Sequence, residues 1–191
     1  PLIAEKNDNP SLRVWVPGCA TGEEAYSVAM VLLEELGAAR KNCPIQLFAS
    51  DIDPEAVRFA REGLYSESIA TDLSEERLKR FFAKTDKSYQ VTKQLREAVI
   101  FSVQNLISQP PFSRLDLVSC RNVLIYLEAE IQRRIITLFS FALRPRVSFR
   151  NCSSRDGSVV SFPPPGRGTS EASASKPGGS RSSRRRPACG A

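Results

Sequence analysis

A chain of 191 residues, 41% of them hydrophobic, can bury one good core, so a single domain with appendages is expected. It has no histidine, which removes the usual base of Ser-His-Asp hydrolases and the usual zinc ligand, and its five cysteines form no C-x-x-C pair. The net charge of +6 sits at one end: residues 146–191 hold nine of the 27 basic side chains but only two of the 21 acidic ones. No apolar run is long enough to span a bilayer, and the cysteine usage suits a reducing cytoplasm, so neither a metal centre nor membrane insertion is expected.

The first predicted element is a strand over 12–16, Leu-Arg-Val-Trp-Val, stopped by Pro17-Gly18. A helix follows at once. Thr21 reads as its N-cap, with Glu24 completing a capping box, and Tyr26, Val28, Ala29, Leu32, Leu33 and Leu36 form an apolar stripe that Gly37 ends. The turn is no Walker A loop, and its glycines are spaced G-x-x-x-G rather than G-x-G-x-x-G. A pyrophosphate wants a bare, partly positive helix N-terminus, yet Glu23 and Glu24 fill this first turn with negative charge. That disfavours a dinucleotide and favours a ligand carrying an ammonium group. The plainer reading is that both glutamates merely complement the helix dipole.

A second strand over 45–49 ends in Ser50-Asp51-Ile52-Asp53-Pro54, and Pro54 opens a helix through Arg61. An acidic residue at the end of a second strand commonly binds a ribose diol, which marks Asp51, while Asp53 reads as a helix cap. Residues 63–97 are too long for a simple connection. Within them a helix over 74–82 is expected, capped by Ser74 and burying Leu78, Phe81 and Phe82, followed by a short strand over 88–92. Strands over 98–103 and 115–120 then run into Asn105 and into Arg121-Asn122, at the strand ends where ligands of open α/β sheets gather. Each Asn alone would be an ordinary turn residue. A last helix is expected over 128–143.

Read together, Arg13-Val14-Trp15, the run from Ala20 to Ser27, Phe48-Ala49-Ser50-Asp51-Ile52-Asp53 and Cys120-Arg121-Asn122-Val123-Leu124-Ile125-Tyr126 resemble the catalytic domain of the chemotaxis receptor methyltransferases. These are protein-glutamate O-methyltransferases that use S-adenosyl-L-methionine. Trp15-Val16-Pro17-Gly18-Cys19 looks especially like modules fused to methylesterase and sensor domains. The resemblance implies an α/β, Rossmann-like methyltransferase sheet, incomplete at both ends, with a small inserted subdomain at 63–97. It implies that Glu24 and the turn Ala20, Thr21 and Gly22 hold the methionine end of the cofactor. Asp51 would take the ribose, Asn105 and Leu106 would border adenine and ribose, and Arg121 and Asn122 would line the pocket. Tyr126 would lie near the transferring methyl group, making Tyr126 and Arg121 the catalytic candidates; the competing reading of Tyr126 is a core aromatic at a helix start. The implied partner is a methyl-accepting chemotaxis receptor in the cytoplasm. Such chemistry needs no histidine, because a glutamate acceptor of unperturbed pKa about 4.3 is already ionised at neutral pH.

The chain departs from the family twice. It starts without the preceding helical domain and its arginine-bearing segment, so residues 1–11 read as a linker remnant and 12–145 as the catalytic domain. After Arg144-Pro145 the family's glycine turn, apolar strand and Ser-Glu loop give way to a Ser, Pro, Gly and Arg-rich tail over 146–191, read as disordered and as an out-of-frame or misassembled end. Without interleaved aromatics this tail offers nucleic acid or a membrane surface only generic electrostatics. The fragment is therefore expected to transfer methyl groups weakly or not at all. The alternatives are a non-catalytic S-adenosylmethionine-binding signalling module and a nicotinamide-dependent oxidoreductase, the latter opposed by the acidic first turn.

Overall fold

The computed structural model describes residues 11–144, 149–151 and 159–160. Strand β1 (Leu12–Pro17) leads into helix α1 (Glu23–Ala38), β2 (Ile45–Asp51) and α2 (Pro54–Glu62). The insertion follows as β3 (Leu64–Ser66), α3 (Glu75–Phe81), β4 (Phe82–Lys84), β5 (Ser88–Val91) and a short α4 (Lys93–Glu97). The chain then returns to the main sheet through β6 (Val99–Val103) and β7 (Leu117–Cys120), followed by α5 (Ala129–Ala142), β8 (Phe149–Asn151) and β9 (Val159–Val160).

The main sheet has the order β6-β2-β1-β7-β8-β9. β1 pairs in parallel with β2 from Leu12↔Ile45 to Pro17↔Ser50, and with β7 at Val14↔Leu117 and Trp15↔Val118. The chain thus builds outward from β1 through β2 to β6, then crosses back to the other side of β1. The switch in direction lies between β1 and β7, and the C-terminal ends of β1, β2, β6 and β7 share the edge where open α/β sheets bind ligands. This is the Rossmann-like α/β architecture expected from the sequence.

Strand alternation splits the core between the two faces. Leu12, Val14 and Val16 pack with Ala25, Ala29 and Met30 of α1 and Val57 and Ala60 of α2. Trp15 points the other way, into a cluster with Phe48, Val118, Ile135 and Phe139. Its ring meets Phe139 and Phe112 edge-on at 5.4 and 5.5 Å, and its indole N–H donates to Ser50 Oγ at 2.9 Å. A buried aromatic with its polar atom satisfied both packs the sheet and fixes the residue next to Asp51.

Several boundaries differ from expectation for identifiable reasons. Gly22, with φ +93°, is the N-cap of α1; the Thr21 hydroxyl instead donates to the Glu23 carboxylate at 2.7–2.8 Å, and no capping box forms. Helix α1 also runs through Gly37 to Ala38. Its left-handed exit residue is Arg40 at φ +51°, with the Lys41 N–H donating back to the Leu36 carbonyl. Strand β7 begins two residues late because Asp116, buried, exchanges bonds with the Arg13 backbone: its N–H donates to the Arg13 carbonyl at 2.7 Å and its carboxylate accepts the Arg13 N–H at 2.8 Å. Ala98, expected in a strand, caps α4.

Residues 63–97 contain an antiparallel sheet in the order β3-β5-β4, where the sequence signalled one strand. Ser74 caps α3 as read, accepting from the Arg77 N–H, and Phe81 and Phe82 are buried. Within the tail, read as disordered throughout, β8 pairs in parallel with β7 at Ser119↔Arg150 and β9 pairs antiparallel with β8. Ladder pairing uses backbone groups that any composition supplies, so these five residues can pair without apolar alternation; the rest of the tail lies outside the described residues. Among the described residues no helix is long and apolar enough to cross a membrane.

Candidate cofactor site

The turn after β1 coils through three left-handed residues, Gly18 (φ +70°), Ala20 (φ +44°) and Gly22. Glycine is required at position 18: a Cβ there would come within 2.0 Å of Val123 Cγ2. The Gly18 and Cys19 N–H groups both donate to the Ser50 carbonyl, at 2.7 and 3.1 Å. Ala20 N–H donates to Asp51 Oδ2 at 2.8 Å, and Asp53 N–H to Asp51 Oδ1 at 3.0 Å. Asp51 is thus first an organiser of its own turn and the neighbouring one. Asp53 caps α2, accepting from the Glu55 N–H at 2.9 Å. From the insertion, the Tyr65 hydroxyl reaches back and donates to the Thr21 carbonyl at 2.8 Å.

These turns and those after β6 and β7 enclose a cavity of about 440 Å³, within the usual range for cofactor pockets of about 300–1,000 Å³. Of the residues singled out in the sequence, Ala20, Asp51, Asn105, Leu106, Arg121, Asn122 and Tyr126 line it. Asn105 Oδ1 accepts from the Ile107 N–H at 2.9 Å, and Asn122 sits at φ +59°, a region asparagine tolerates better than most residues. Tyr126 lies in a 3₁₀ turn, Leu124–Tyr126, and is 81% exposed, so the core-aromatic reading is excluded.

Glu24 is not in that cavity. It lines a neighbouring one of about 610 Å³, with Glu23, Ser119 and the apolar flank of α1, and Arg121 and Asn122 stand between the two and border both. Thr21 and Gly22 line neither cavity; their part is to shape the turn. Burial raises the Glu24 carboxyl above its ordinary value, opposed by a hydrogen bond from Ser119 and the charge of Arg121. Burial also pushes the Cys19 and Cys120 thiols up to about 12, leaving them neutral and unsuited to nucleophilic attack.

Ser119, Gly18, Ile52 and Gln104 were missed in the sequence. The first could have been found from strand alternation, because Leu117, Ser119 and Arg121 fall on one side at two-residue spacing and all three line the second cavity. The other three carry no chemical signature and enter the cavity only because the strand ends converge.

The fold and site together define a Rossmann-like domain with a nucleoside-sized cavity at its switch point. Residues 1–148 match the family model described as CheR methyltransferase, SAM binding domain, and the chain belongs to that family. It is 40% identical over 144 residues to an uncharacterised 104.1 kDa protein of Rhodobacter capsulatus, covering 75% of this chain and 15% of that one. It is 33% identical to the chemotaxis protein methyltransferase of Borreliella burgdorferi, covering 75% of this chain and 53% of that one. For the chemotaxis protein methyltransferase of Escherichia coli the identity is 34%, covering 76% and 53%. The chain spans about half the length of these two enzymes.

The family's cofactor is S-adenosylmethionine, and the residues present fit it. A carboxylate stands at the end of β2, and a second, in the adjoining cavity, suits the ammonium of an amino-acid end. The N-terminus of α1 is not bare, since Glu23 and Glu24 occupy its first turn, which disfavours a pyrophosphate.

Proposed function

We propose that this chain is the cofactor-binding part of a methyltransferase that esterifies glutamate side chains of methyl-accepting chemotaxis receptors. The observation that carries this reading is the pair of adjoining cavities separated by Arg121 and Asn122, with Asp51 on one side and Glu24 on the other.

In this reading Asp51 binds the ribose while keeping its two backbone donors, since a carboxylate offers about four acceptor positions. Asn105 and Leu106 border the adenine, and Glu24 accepts the ammonium of the methionine end. Arg121, between the cavities, orients the incoming carboxylate, and Tyr126 stands at the mouth where that acceptor arrives. When bound, the cofactor supplies an already activated methyl group, and the acceptor needs no base. The protein's work is alignment and exclusion of water. Tyr126 and Ile125, 81% and 54% exposed, give the arriving receptor segment an apolar rim to cover. The β3-β5-β4 insertion supplies the receptor-docking surface, joined to the cofactor turn through Tyr65.

Calorimetry with S-adenosylmethionine, S-adenosylhomocysteine and NAD, followed by transfer of labelled methyl to receptor, tests the reading. Binding of the first two but not NAD by this chain, together with base-labile label placed on receptor by the full-length parent, is expected. Binding by the full-length parent without transfer would select the non-catalytic signalling module.

A further inference from the structure

Ser119 follows Val118, which is paired with Trp15, and shares a strand side with Leu117, which packs against the α1 face of the sheet. Its hydroxyl therefore meets the first turn of α1 and donates to Glu24 Oε1 at 2.7 Å, across 95 residues of sequence. Both residues line the second cavity. Glu24 is half-buried and feels the charge of Arg121, but among the described residues it makes no salt bridge and its Oε2 has no hydrogen-bond donor. One oxygen is thus tied down while the other is left for a ligand, and the tie is a donor, which favours the charged carboxylate against the cost of burial.

We infer that Ser119 is a positioning residue that holds Glu24 in place to receive the ammonium of the cofactor's amino-acid end. The inference rests on the cofactor reading above. It distinguishes Ser119 from a packing residue, because a serine that only filled space would affect all parts of the ligand alike.

Titration calorimetry on the full chain separates these roles with two probes: S-adenosylmethionine, and methylthioadenosine, which lacks the amino-acid end. Ser119→Ala should weaken S-adenosylmethionine about tenfold, the scale of one hydrogen bond to a charged group, and leave methylthioadenosine unchanged. Ser119→Thr, which keeps the hydroxyl on a β-branched side chain suited to a strand, should restore affinity to within about twofold. In a Glu24→Gln background, which loses the ammonium's countercharge, Ser119→Ala should add little. An unchanged affinity in Ser119→Ala, an equal loss for both ligands, or a full loss persisting beside Glu24→Gln overturns the assignment while leaving the cofactor reading intact. A folded wild-type chain that binds neither ligand overturns the cofactor reading and this inference with it.

Discussion

The two halves of the cavity are built differently. On the β1 and β2 side, bonds that fix the turns join distant parts of the chain: Ala20 to Asp51, Gly18 and Cys19 to Ser50, Tyr65 to Thr21. On the β6 and β7 side the Gln104 N–H donates across the sheet to the Asp51 carbonyl and Ser119 donates to Glu24, but the segments that carry Asn105 and Tyr126 are held by local bonds: Ile107 to Asn105, Asn105 to Gln109, and the Gln132 side chain to the Leu124 and Leu127 carbonyls. Local bonds shape a loop but do not place it against the sheet. The first half is therefore ready to receive the nucleoside, whereas the turn of the second half that carries Tyr126 has room to adapt to an acceptor.

The most severe test strikes where the halves touch. Gly18→Val brings a branched side chain into the space of Val123 at a left-handed position, so strain and overpacking should cost about 3 kcal/mol or more. Thermal denaturation measures this. Gly18→Ala combined with Val123→Ala should relieve the clash and retain about 1 kcal/mol of backbone cost. Equal stabilities for all variants would mean that the halves do not pack together here.

Asp51→Ala removes the acceptor of two solvent-exposed backbone N–H groups, so a loss of about 1–2 kcal/mol in stability is expected. Cofactor affinity should also fall, by about 1.5–3 kcal/mol if both ribose hydroxyls bond to it. Denaturant unfolding and calorimetry on the same sample separate the two. A drop in affinity alone would mean that the turn holds its shape without Asp51.

The first half was largely legible in the sequence because its signals are local and steric. Apolar strands, Pro17-Gly18, and Asp51 followed by Asp53-Pro54 each state a strand end. What escaped depended on three-dimensional closure. Thr21 is a good cap by composition, but three left-handed residues move the helix start to Gly22. The strands of the insertion are three or four residues long, too short for alternation to show. The separation of Glu24 from Asp51 into adjoining cavities follows from the β1–β7 register, which no single segment encodes.

The adaptable half is best probed at Gln132, whose amide donates to both Leu124 and Leu127 carbonyls at 2.9 Å. Gln132→Ala should cost about 1–2 kcal/mol in stability. Because Tyr126 lies within that turn, the rate of methyl transfer by the full-length parent should fall while S-adenosylmethionine affinity stays nearly constant. Parallel losses in both would show that the second half is as much a part of cofactor binding as the first.

The smallest effect is expected away from both halves, at the far end of α1, where Arg77 of α3 donates two bonds to Glu34 at 2.7 and 2.9 Å. Those bonds hold the Glu34 carboxyl below its ordinary value. A depressed carboxyl contributes stability above its unfolded pKa, about 4.3, and that contribution is lost as pH falls through the folded value. The pair is solvent-exposed enough that the contribution should be no more than about 1 kcal/mol. Glu24, one helix length away, has the opposite sign: its raised carboxyl favours the fold in acid, and that contribution is lost as pH rises through its folded pKa. Arg77→Ala should therefore lower the melting temperature slightly at pH 7, with the difference closing in acid, and leave cofactor affinity untouched. Glu24→Gln should leave neutral-pH stability equal or higher while cofactor affinity falls. Melting curves from about pH 2 to pH 7 for both variants, with calorimetry at pH 7, check the pair. A loss of cofactor affinity in Arg77→Ala would mean that the insertion governs the site through α1, and that the division between a fixed and an adaptable half is drawn in the wrong place.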